Sequence, residues 1–152
     1  MLEITNAPGR IKKLNARVEY EGEESRHAVD VSVEFQVVDT GLEVIQELGY
    51  PELREMFGEN HRPSIAGLDF KLREKIHHIE VRLQHKGSKK HVDLECDVAG
   101  LTVTPIQGVG LNFKCKFQSR VTTDTFGSLW NMWCDGDVQV SLKAKQFAMN
   151  EA

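Results

Sequence analysis

The stretch Leu111–Leu142, LNFKCKFQSRVTTDTFGSLWNMWCDGDVQVSL, changes its hydrophobic period twice and decides the fold class. Leu111, Phe113, Cys115 and Phe117 alternate with Asn112, Lys114, Lys116 and Gln118, the period of a strand with one buried face. From Phe126 the apolar spacing becomes i, i+3, i+4, i+7 through Leu129, Trp130 and Trp133, which is one face of a helix. Thr122, Thr123 or Asp124 can cap its start, and Gly136 stands where a left-handed residue would end it. Val138, Val140 and Leu142 then restore the alternation, with Lys143 and Lys145 outward. Strand, short helix and strand in series predict a helix lying on a sheet face, with both tryptophans as core anchors.

Working outward, Leu14, Ala16, Val18 and Tyr20 read as one strand and Val29 to Val37 as its antiparallel partner. The segment DTGLEVIQELGYPELREMFG (39–58) switches to helical spacing, and Pro51 interrupts it, which predicts a short helix, a break and a further turn. Leu68 to Leu83 fits both periods. Strand is preferred for Ile76 to Lys86, because the turn-like KGSKK leads into the alternation of Val92, Leu94, Cys96 and Val98 and completes a hairpin. The phase flips before Leu101 and Val103, which places a bulge or bend at Gly100. The chain therefore reads as α+β and β-rich: an antiparallel sheet or sandwich of about six strands with two or three short helices. One globular domain covers residues 1–146, and 147–152 form a loose tail.

A chain of 152 residues is long enough to bury about 68–70% of its unfolded surface without staples. Apolar residues make up 40% and charged residues 28%, a globular composition, and neither a membrane span nor a basic–apolar leader is evident. The expectation is a soluble cytoplasmic protein. Cys96, Cys115 and Cys134 are odd in number and widely spaced, which suits buried free thiols better than a disulfide or a metal site.

No nucleophile, phosphate-loop or cofactor signature is present, so no catalytic residue, metal ligand or cofactor is assigned, and the chain reads as a binding protein rather than an enzyme. Asp93, Glu95 and Asp97 share one strand face, as the ligands of a metal-dependent nuclease could, but Arg82 and Lys86 on the partner strand are placed to pair with them. His77, His78, His85 and His91 gather near the same hairpin with spacings that match no zinc motif. Charge carries the functional colour. Net charge is −4, yet Arg62 to His91 holds eight Lys or Arg against three acids. The candidate binding residues are Arg82, Lys86, Lys89 and Lys90 on the basic hairpin. Lys114, Lys116 and Arg120 extend them if their strands are neighbours.

The segments ITNAPGRIKKLNARVEYEGEE (4–24), AVDVSVEF (28–35) and LNFKCKFQSRV…DTFGSLWNMWCDGDVQVSL (111–142) resemble a group of short proteins encoded by tailed bacteriophages and prophages. The resemblance covers the two ends of the chain and brings no catalytic motif. It implies a small cytoplasmic phage protein acting on DNA metabolism or on host machinery. Three functions are expected in turn: a non-enzymatic module contacting nucleic acid or a nucleic-acid protein through the basic hairpin; an inhibitor of a host or defence protein, using the acidic remainder of the surface; and a metal-dependent nuclease. Strands Val29–Val37 and Val138–Leu142 are the expected open edges, through which a homodimer would form.

Overall fold

The computed structural model describes residues 3–38, 70–72, 75–106 and 110–144. The predicted helices of segment 39–58, and the tail, lie outside them. The elements are β1 (Glu3–Glu21), β2 (Glu24–Val38), β3 (Phe70–Lys71), β4 (Ile76–His85), β5 (His91–Ile106), β6 (Gly110–Arg120), α1 (Thr123–Asp135) and β7 (Asp137–Ala144). All strand pairings are antiparallel, in the order β3-β5-β4-β7-β1-β2-β6. A further pairing of β5 with β6 closes β5, β4, β7, β1, β2 and β6 into a six-stranded barrel. The β-rich antiparallel reading holds, but the sheet closes on itself instead of splitting into a sandwich.

Closure comes from stagger. His85, Val138, Gly9, Phe35, Phe113 and Val103 form one row of register partners. The row leaves β4 beside the turn to β5 and reaches β5 far from its His91 end, the offset that tilts strands in a barrel. Bulges allow the bends. The phase shift at Gly100 lies between Ala99 and Thr102, with Gly100 at φ 60. Two more bulges lie in β1, between Ile4 and Ala7 and between Ile11 and Lys13. They bring Ile4, Ala7, Ile11 and Leu14 to the interior although their spacing is irregular. A Cβ at Gly9 would stand 2.5 Å from the Glu34 carbonyl oxygen and 2.7 Å from Phe35 Cβ, so β1 can pass this close to β2 only with glycine there.

The interior is packed solid. Phe35 and Phe113 stack with ring centroids 5.1 Å apart, among Val29, Val31, Leu83, Phe117 and Val140. A void of about 20 Å³ remains, lined by apolar residues that include Ile79 and Leu101, too small and too dry for a ligand. Charged residues lie outside and apolar ones inside, the reverse of a membrane barrel. Among the described residues no helix is long and apolar enough to cross a membrane.

Helix α1 packs against β1, β5 and β7 on its way from β6 to β7. The Thr125 N–H donates to Thr122 Oγ1 at 3.2 Å, and Gly136, at φ 102, donates its N–H to the Met132 carbonyl. The buried face is Leu129 and Met132, flanked by the partly buried Phe126 and Trp133. This corrects one expectation. Trp130 is 49% exposed and meets Trp133 edge-on, because the helix sits on the barrel rotated by about one residue from the aromatic stripe. Two others are also corrected. Beyond Leu14, β1 leaves the core, so Val18 and Tyr20 are 53% and 75% exposed. Strands β2 and β7 are each paired on both sides, β2 by β1 and β6 and β7 by β1 and β4, so neither is the open edge that a strand-paired homodimer needs.

Candidate functional site

Two surface regions hold most of the chemistry. The larger is an open cleft of about 1040 Å³ where the start of β5 parts from the end of β6. Asp93, Glu95 and Asp97 line it with Glu80 and His78 on one side, and Arg17, Glu19, Arg26 and Arg120 on the other. Its arginines are spoken for. Arg17 donates to Asp30 at 2.7 Å and to Glu19 at 2.8 Å, Arg120 reaches Glu19 and Glu21 at 3.3 and 3.5 Å, and Arg26 reaches Glu21 at 3.2 Å. Hydrogen bonds from Arg17 and then Arg120 hold the Glu19 carboxyl below its usual range.

The three candidate nuclease acids are likewise engaged. Arg82 forks onto Asp93 at 2.7 and 3.1 Å, as the sequence suggested, and this hydrogen bonding lowers the Asp93 carboxyl. Asp97 meets His77 Nδ1 at 3.2 Å and accepts the backbone N–H of His78, which stands at φ 63 in the β4 bulge. Among the described residues no group of three His, Cys, Asp or Glu side chains is placed to hold a metal ion. The four histidines do not form one cluster: His77 and His78 begin β4, whereas His85 and His91 flank its turn, near Asp135 and Asp93 respectively.

The second region is the outer face of β1, β2 and β6. The bulge at Ile11/Lys13 turns two successive lysines outward, so Lys12 and Lys13 are both exposed between the inward Ile11 and Leu14. Across β2, Lys114 and Lys116 point outward opposite Glu34 and Ser32. Lys12, Lys13, Lys114 and Lys116 thus stand across two strand spacings, roughly 10 Å. Glu34, 3.6 Å from Lys12, is the carboxylate among them. The basic turn adjoins this face: the Lys86 N–H meets the Asp137 carbonyl at 3.4 Å, and Asp137 pairs with Arg10 in register and by a 3.3 Å ion pair. Lys86 therefore borders the face that carries Lys114 and Lys116, and Lys89 and Lys90 follow it in the same turn. Arg82 sits on β4, tied to Asp93 of β5, and Arg120 lies in the cleft. Arg10, Lys12 and Lys13 were not singled out from sequence; the run GRIKK is their only signal.

At the border of the turn and this face lies a hollow of about 420 Å³. Gln139, Pro8, Gln36 and Asn112 border it from β7, β1, β2 and β6, with Arg10 and Lys86 at one end. Asn112 is 8% exposed; its Nδ2 donates to Glu34 Oε1 at 3.1 Å, and its Oδ1, itself sealed from solvent, has no partner among the described residues. Leaving a buried acceptor unsatisfied costs about 1–3 kcal/mol.

Cys96 and Cys115 are buried free thiols and Cys134 is exposed. Burial pushes the Cys96 thiol up to about 12 and raises Cys115 as well, so neither is a nucleophile at neutral pH. No family model, curated protein or solved structure matches this chain.

Proposed function

We propose that this protein is a non-enzymatic nucleic-acid-binding module whose contact surface is the outer face of β1, β2 and β6, continued by the β4–β5 turn. The observation that carries the reading is the placement of its lysines. Lys13, Lys86, Lys89, Lys90, Lys114 and Lys116 have no carboxylate partner among the described residues, and Lys13, Lys114 and Lys116 share the outer face of β1 and β6 in a chain whose net charge is −4. Unpaired ammonium groups on a stiff sheet are placed to displace the counterions of a phosphate backbone. The solid interior and the high thiol pKa values give no support to a small-molecule carrier or to covalent chemistry. The likeness of both chain ends to short phage proteins agrees with a role in phage DNA metabolism. Polarisation titrations with single-stranded and duplex oligonucleotides, at about 50 and 200 mM salt, test it. Binding that weakens steeply across that interval is expected, whereas no binding at the lower salt removes the proposal and favours a protein partner.

A further inference from the structure

We propose that the cleft where β5 parts from β6 takes an extended segment of a partner protein, added as a strand to the β5 edge, with apolar residues inward and Lys or Arg outward. Pairing of β5 with β4 runs from His91, whereas pairing with β6 begins only at Asp97, opposite Gln118. The next pair in that register would be Glu95 with Arg120. Instead Ser119, 6% exposed, directs its hydroxyl at the carbonyls of both, each at 3.0 Å. A hydroxyl has one hydrogen, so it cannot serve two acceptors as a ladder of N–H groups would. The ladder ends there because β6 turns at Thr122 into α1, and β5 runs on without it. The Glu95 carbonyl fixes which way this edge faces. Since it points towards β6, the backbone N–H and C=O of Asp93 and His91, further along the same unbroken register, point that way too. Among the described residues no strand meets them there. His91–Glu95 is roughly 17 Å of edge, opening on a cleft of about 1040 Å³.

The side chains around the edge select the occupant. Ile79, Leu94, Cys96 and Val121 line the cleft, so alternate residues of an added strand meet an apolar floor. From β4 and β5 the outward positions are Glu80, Asp93, Glu95 and Asp97 against Lys75, and Glu80 stands opposite Glu95, a like-charge pair across the sheet. Arg82 ties Asp93 from the side away from the cleft, which still leaves carboxylate in surplus. The arginines of the opposite wall are matched within it by Glu19, Glu21 and Asp30. The outward residues of the added strand are therefore cationic. A second copy does not suit this edge: pairing β5 with itself about Leu94 would set Asp93 against the Glu95 of the other copy.

The probe is the labelled, amidated hexapeptide Lys-Val-Lys-Val-Lys-Val, titrated onto the intact protein and followed by polarisation and amide NMR. Saturable binding is expected, with the largest shifts at the amides of His91, Asp93 and Arg120. A residue directly opposite Asp93 shares its outward face and exchanges backbone hydrogen bonds with it, so the lysine N–H groups of the probe bond to β5 and the valine N–H groups do not. N-methylating the lysine nitrogens should weaken binding at least tenfold, while N-methylating the valine nitrogens should change it less than twofold. Asp93→Lys, an exposed substitution, should shift the preference towards Glu-Val-Glu-Val-Glu-Val. Replacing Lys12, Lys13, Lys114 and Lys116 by glutamine should leave peptide binding unchanged, which separates this site from the nucleic-acid face. No saturable binding overturns the inference. Equal binding of the two methylated peptides also overturns it, as adhesion by charge alone, and so does a dimer of this chain that the probe dissociates, since the occupant would then be a second copy.

Discussion

In the cleft beside β6 the arginines are tied to carboxylates, while on the outer face of β1, β2 and β6 the lysines, Lys12 apart, have no such partner among the described residues. Arg10, Arg17, Arg26, Arg82 and Arg120, the arginines among the described residues, all have a carboxylate within 3.5 Å. Lys12 is the described lysine with a carboxylate within 4 Å, Glu34 at 3.6 Å. The division follows from hydration and shape. A guanidinium is weakly hydrated and matches a carboxylate with two parallel N–H bonds, so it repays the fixing of a long side chain at the join between β1, β2 and β6. An ammonium holds its water until a denser charge, such as a phosphate backbone, displaces it. The arginine region therefore belongs to the fold, and the lysine face is the surface left to the proposed binding.

The largest effect should come from emptying the lysine face. Replacing Lys12, Lys13, Lys114 and Lys116 together by glutamine removes about four phosphate contacts, so the slope of log affinity against log salt should flatten by about 2.8–3.6. Thermal stability should stay at the wild-type value, since these side chains point outward and Lys12 alone has an ion-pair partner. A matching drop in melting temperature would break the division between the two regions.

The converse variant is Arg17→Ala. Asp30 is only 8% exposed and takes its short 2.7 Å hydrogen bond from Arg17, so truncation strands a mostly buried carboxylate at a cost of about 1–3 kcal/mol. Urea unfolding should show that loss, Asp30→Asn in the same chain should recover part of it, and strand affinity should remain unchanged. A large fall in affinity with no fall in stability would move the binding surface from the lysine face to the cleft.

Much of this division is only half visible in the sequence. Period-two alternation announces β2, β4, β5, β6 and β7, because each buries one face against a solid interior. The bulges of β1 are invisible, because the spacing of Ile4, Ala7, Ile11 and Leu14 fits no period until the neighbouring strands are known. That conceals Lys12 and Lys13, whose joint exposure is a product of the bulge. Closure is hidden too: pairing of β5 with β6 depends on stagger accumulated over six strands, and it removes the open edges that an isolated reading assigns to β2 and β7. Trp130 misleads for a different reason. Aromatic residues dominate any hydrophobic stripe, but the barrel end takes the smaller Leu129 and Met132, leaving the larger ring half outside. Arg82 pairing with Asp93 was legible, since opposite charges face each other across a short hairpin, and that legibility already argued for a structural role.

The smallest effect concerns acid. The carboxyls of Asp93 and Glu19 are held below their ordinary values, chiefly by hydrogen bonds from Arg82 and Arg17 respectively. A folded pKa below the unfolded one means that the unfolded chain binds more protons near pH 4. Their contribution is thus complete above the unfolded values, about 3.9 and 4.3, and disappears as pH falls through the lower folded values. Glu19 is partly solvated, so its share is at most about 1 kcal/mol. Urea midpoints should hold steady from neutrality to about pH 5 and then decline. Arg82→Gln should start slightly lower and decline less steeply, because its Asp93 has lost the partner that depressed it. The lysine quadruple variant should follow the wild-type curve. If that variant instead flattened the acid limb, lysines would be pairing with carboxylates in solution, and the contrast between a tied arginine network and a free lysine face would no longer hold.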